Sequence, residues 1–132
     1  MQAAHQQITR EWWERRQHFE LFVSEVVLAE AVRGDVEAAN RRMAVLDEIQ
    51  VLAASADASE LAELFVRAKA VPRKAMADAV HIAVAAVNGM DYVLTWNCRH
   101  IANAAIRSKI EHVCRDIGLE PPIICTPEEL ME

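Results

Sequence analysis

The stretch from Ala75 to Asn103 constrains this chain most, because its helical part leaves almost no side for water. Ala75, Met76, Ala79, Val80, Ile82, Ala83, Val84, Ala86 and Val87 cover nearly the whole circumference of a helix, so the segment belongs inside a layered core. Gly89 suits the left-handed residue that closes such a helix. Tyr92, Val93, Leu94 and Thr95 then make a short strand rich in β-formers.

Asp78 and His81 are the polar exceptions on that helix, three residues apart and so on one face. A carboxylate in apolar surroundings is costly unless a cation or hydrogen-bond donors meet it, which makes Asp78 a candidate site residue. Asn97 follows the strand directly. Ligands of open α/β sheets bind beyond the carboxyl ends of the strands, where Thr95 and Asn97 fall, so the acid and the amide are expected to face one crevice.

The rest of the chain keeps alternating helix and strand. Ala3 to Gln17 reads as a helix with Ile8 and Trp12 four apart and Glu11 paired to Arg15. Trp12 and Trp13 cannot share a face: one is a core residue and the other sits at a packing edge or dimer contact, with nucleic-acid stacking as the alternative. Phe19 to Val23 is a strand, and Ser24 is placed to cap the helix after it. Glu30 stands among apolar neighbours in that helix, either as a metal ligand or as a wet edge paired with Arg33.

Gly34 ends this helix and Asp35 caps the next, whose stripe is Val36, Ala39, Met43 and Leu46. Ile49 to Ala53 gives a strand. A helix starting at Asp57 or Ser59 turns Leu61, Leu64, Phe65 and Ala68 to the core and stops before Pro72. Arg73 and Lys74 precede Asp78, as phosphate-holding cations or as solvated loop charges. Ile106, Ile110, Val113 and Ile117 mark an amphipathic helix ended by Gly118. Ile123 to Cys125 is the last strand, and Thr126-Pro127-Glu128-Glu129 has the form of a capping box. Strands this short and apolar belong to a parallel sheet covered on both faces, so the expected fold class is three-layer α/β/α with a short parallel sheet.

At 132 residues the chain suits one domain, expected over 1–132. No apolar run approaches the roughly 20 residues of a membrane span, and with no signal-like start the expected location is cytoplasmic. Cys98, Cys114 and Cys125 are odd in number and form no C-x-x-C, which argues against a disulfide framework. Cys98 with His100, and His112 with Cys114, could suggest zinc, but C-x-H is not a usual finger spacing and residues two apart on a helix diverge. A formal charge of −6 argues against broad basic contact with nucleic acid, yet acidic side chains that hold a metal also make a site negative. The key residues of dinucleotide, P-loop and α/β-hydrolase motifs are absent. What remains is the set Glu30, Asp78 and Asn97. Carboxylates converging at a strand edge suit Mg²⁺ or Mn²⁺, which can activate water for phosphodiester cleavage.

Three segments resemble successive motifs of PIN-domain proteins, and most nearly those of VapC-type ribonuclease toxins. They are Ser24-Glu25-Val26-Val27-Leu28-Ala29-Glu30, then Asp78-Ala79-Val80-His81-Ile82-Ala83, then Asp91 through Ile101 with Thr95-Trp96-Asn97 at its centre. The resemblance runs from Phe19 to the end and implies a metal-dependent endoribonuclease acting on single-stranded RNA. Carried over by position, Glu30 and Asp78 match two acidic metal ligands. Asn97 falls where many relatives have an acid, as a neutral ligand or an orienting group for water, and Ser24 and Thr95 match supporting hydroxyls. The family opens with a central strand carrying a further acid, which this sequence lacks. The chain therefore reads as PIN-like but N-terminally truncated, with a start upstream of Met1 or a remnant as the two explanations.

The resemblance also implies an antitoxin partner whose basic segment enters the acidic crevice, and a homodimer. Two further readings stand beside the nuclease: a catalytically impaired PIN-like protein-interaction module, and a structural protein dimerising through its first helix.

Overall fold

A computed structural model describes residues 7, 10–14, 19–32, 34–47, 49–94, 104–126 and 129. Helix α1 is described at residues 10–14. Trp12 is its core residue, 7% exposed and stacked on Phe19 at 5.9 Å, while Trp13 is half-buried and tilted against Trp12. Then come β1 (Phe22–Ser24), α2 (Glu25–Ala31), α3 (Val36–Leu46), β2 (Gln50–Leu52) and α4 (Ala56–Arg67). One 3₁₀ turn (Arg73–Ala75) leads into α5 (Met76–Val87), followed by β3 (Tyr92–Leu94), α6 (Ala104–Asp116) and β4 (Ile123–Cys125). No helix among the described residues is long and apolar enough to cross a membrane.

The core lies where α4 packs on α5. Leu61 and Phe65 of α4, Ala79, Ile82, Ala83 and Val84 of α5, Ile110 and Cys114 of α6 and Ile124 of β4 are all buried in one cluster. Burying an aromatic or branched side chain of this size contributes about 1.5–3 kcal/mol each, so α5 is held by its neighbours on several sides rather than by its own propensity. Gly89, at φ +71°, closes α5. The Met90 N–H donates to the Ala85 carbonyl at 2.9 Å, the six-to-one bond of a Schellman end. Gly118 ends α6 in the same way, with the Leu119 N–H donating to the Cys114 carbonyl at 2.9 Å.

The sheet is parallel throughout, but it comes in two halves. β1 pairs with β2, with Val23 opposite Val51, and β3 pairs with β4, with Val93 opposite Ile124. Among the described residues no strand joins β1 to β3. Each half is closed by its own helical crossover, α2–α3 in the first and α6 in the second, and α4 and α5 connect them.

Local expectations shift in several places. The first strand is Phe22–Ser24, so Ser24 ends a strand. The cap of α4 is Ser55, whose hydroxyl accepts from the Ala58 N–H at 3.3 Å, and neither Asp57 nor Ser59 starts the helix. Ala68 is exposed, because the chain leaves the helix there and turns through Lys69 at φ +59°. Val36 is 72% exposed, since α3 buries Ala39 while its first turn overhangs. Asp35 caps α3 as the sequence implies, accepting from the Ala38 N–H at 3.1 Å.

Candidate functional site

β1 stops at Ser24 because α2 begins at Glu25, and this junction is held from two directions. The Glu25 carboxylate accepts a hydrogen bond from the Ala54 N–H at 2.7 Å, which ties the start of α2 to the chain just beyond β2. On the other side the Ser24 hydroxyl, on a residue only 7% exposed, lies 3.0 Å from His81 Nδ1 across 57 positions of sequence. Which of the two atoms donates depends on the imidazole tautomer. The bond joins the carboxyl end of β1 to the face of α5.

Asp78 is on that face. It lies in the first turn of α5, half-buried, one helical turn before His81. Asp78, His81 and Ser24 thus come from a helix and a strand end that meet, where open α/β sheets receive ligands. Glu30 belongs to the last turn of α2, and α2 packs against α5, so the two helices that carry the acidic pair are neighbours. The Glu30 side chain is not among those described. β3 ends at Leu94, and Thr95 and Asn97 lie outside the described residues.

The donor chemistry suits a hard divalent cation. Carboxylate and amide oxygens are the ligands of Mg²⁺ and Mn²⁺ rather than of soft metals. Among the described residues no three His, Cys, Asp or Glu side chains gather as a metal centre. Asp78 is the member of the set whose side chain is described, and Glu30 and Asn97 would complete it. Cys98 and His100 are outside the described residues as well.

Two participants were not singled out from sequence. Nothing in the sequence marks Glu25, whose carboxylate serves the backbone of Ala54. His81 does carry a signal in the sequence: an imidazole in an apolar run, one turn from the acid.

A domain of parallel strand pairs between helices, with polar side chains of a helix face beside a strand end, has the architecture of α/β proteins, which receive ligands at that edge. The PIN domain model matches residues 3–107, and the chain belongs to the PIN domain family. PIN domains are generally nucleases that act on RNA or DNA with the help of divalent metal ions. No curated protein and no solved structure matches the chain at comparable significance.

Proposed function

We propose that the chain is a metal-dependent endoribonuclease of the VapC toxin type, hydrolysing phosphodiester bonds of single-stranded RNA. The observation that carries this reading is Asp78, held one turn from the Ser24–His81 contact at a strand end of a PIN domain. Glu30 and Asp78 are the acidic ligands of the reading, Asn97 is its neutral member, and Ser24 and Thr95 support them. When bound, a divalent ion eases deprotonation of an attacking water and offsets the charge gathering on the phosphate. Glu30 of α2 and Asp78 of α5 would hold that ion. The part-buried Ser24–His81 contact joins α5 to the end of β1, from which α2 continues. A cognate antitoxin and a homodimer belong to the same reading.

A second reading, a PIN-like interaction module without catalysis, is favoured by the divided sheet: two halves with no strand between β1 and β3 among the described residues hold their crevice less firmly than one sheet does. One experiment separates the two. The purified protein and Asp78→Asn are incubated with labelled single-stranded RNA, in Mn²⁺ and in EDTA. Cleavage that needs both Mn²⁺ and Asp78 is expected. Cleavage that Asp78→Asn retains indicates a contaminant, and a thermal midpoint that Mn²⁺ does not raise, with no cleavage, favours the interaction module.

A further inference from the structure

The Ser24–His81 contact does something that apolar packing between β1, α2 and α5 cannot do. Apolar surfaces are attracted without direction, so two packed elements can settle a fraction of an ångström either way at little cost. A hydrogen bond at 3.0 Å between a buried hydroxyl and a ring nitrogen has direction and a narrow range of lengths. Ser24 is only 7% exposed, so its hydroxyl makes this bond largely away from water, where direction counts most. It therefore sets the register of α5 on the β1–α2 junction.

That register matters for Asp78. Asp78 and His81 are i and i+3 on one rigid helix, so fixing the imidazole also fixes the helix position that carries the carboxylate one turn away. The junction at the other end of the contact leads straight into α2, and the Glu25–Ala54 hydrogen bond holds that junction against the β2 end. A small divalent cation is demanding in return, because Mg²⁺ accepts oxygens only near about 2.1 Å in near-octahedral array.

We infer that His81 is a positioning residue for the cation site: clasped by Ser24, it holds Asp78 at the spacing from α2 that a divalent ion requires. This rests on the nuclease reading above. His81 acts through Asp78 and Ser24.

The test uses the whole chain and reads Mn²⁺ binding, without RNA, as the rise of the thermal midpoint with Mn²⁺ concentration; the midpoint in EDTA reports the fold separately. Wild type, Ser24→Ala, His81→Ala, His81→Asn, the Ser24→Ala/His81→Ala double variant and Asp78→Asn are compared. Each single alanine is expected to need about 10-fold more Mn²⁺ for the same rise, the usual effect of losing a partner behind a metal ligand. The double variant should lose less than the sum of the two singles, because the Ser24–His81 contact is already broken in each single. His81→Asn, which can still meet the hydroxyl, should recover most of the affinity. An unchanged Mn²⁺ response in folded His81→Ala, or losses that add in the double variant, overturns the inference while the nuclease reading stands. If His81→Ala does not fold, Ser24→Ala and His81→Asn decide: wild-type affinity in Ser24→Ala overturns the inference. No Mn²⁺ response in wild type, or one that Asp78→Asn keeps, removes the nuclease reading and the inference with it.

Discussion

Ser24 and Glu25 are neighbours in sequence and work in opposite directions, one towards α5 and the other towards β2. Neither role follows from residue type, since serine before a helix most often caps it and a first-turn glutamate most often favours the helix dipole. Both depend on what the fold carries past them. The buried cysteines show the same dependence. Burial pushes the thiols of Cys114 and Cys125 up from 9.0 to about 11; Glu111 adds to the first and Glu129 to the second, while Arg115 and Arg107 act against the rise. A raised acid prefers its protonated form in the fold. The stability this represents is fully present below pH 9.0 and is lost as pH rises through about 11. Urea unfolding across that window should show falling stability, with a shallower fall for Cys114→Ala/Cys125→Ala than for wild type. Equal slopes would mean that the thiols reach water readily in the folded protein.

Elements were legible where a single residue forces the backbone, and less so where partners decide. Asp35, Gly89, Gly118 and the Thr126–Glu129 box do in the structure what their types imply; in the box the Thr126 N–H donates to Glu129 at 3.0 Å and the Glu129 N–H to the Thr126 hydroxyl at 3.3 Å. The strands are legible but their bounds are not, because a three-residue strand is defined by pairing across 28 or more positions rather than by its own alternation. For the same reason Asp78 could be marked by its apolar neighbours, whereas the Ser24–His81 pairing needed coordinates. The end of α5 allows a clean measurement. A Cβ on Gly89 would meet nothing within 4 Å, so Gly89→Ala brings no clash, only the cost of a left-handed alanine at φ +71°. Gly89→Ala should lower unfolding stability by roughly 1 kcal/mol. A loss several times larger would mean that the turn also positions β3 and the residues beyond it.

At the scale of the molecule the buried mass is uneven. α4, α5, α6 and β4 supply nearly all the fully buried side chains, whereas β2 is largely exposed and α3 leaves Val36 and Val45 in water. Among the described residues, the β1–α2–α3–β2 half meets the rest chiefly through α2 on α5, the packing of Leu52 and Ala54 on the core, and the Ser24–His81 bond. Few buried contacts mean a low free energy of local opening. In native-state hydrogen exchange, amides of α3 and β2 should therefore exchange sooner than those of α4 and α5, which open only when the whole core does. The cation reading then makes a sharper demand. A divalent ion held by Glu30 on α2 and Asp78 on α5 would bridge the weak half to the strong one, so saturating Mn²⁺ should slow exchange in β1 and α2 more than in α6, which carries none of the proposed ligands. The differential should vanish in Asp78→Asn. Uniform slowing over all helices would indicate a general effect of the ion on the fold, and no slowing at β1 and α2 would mean that the two acids do not share a metal.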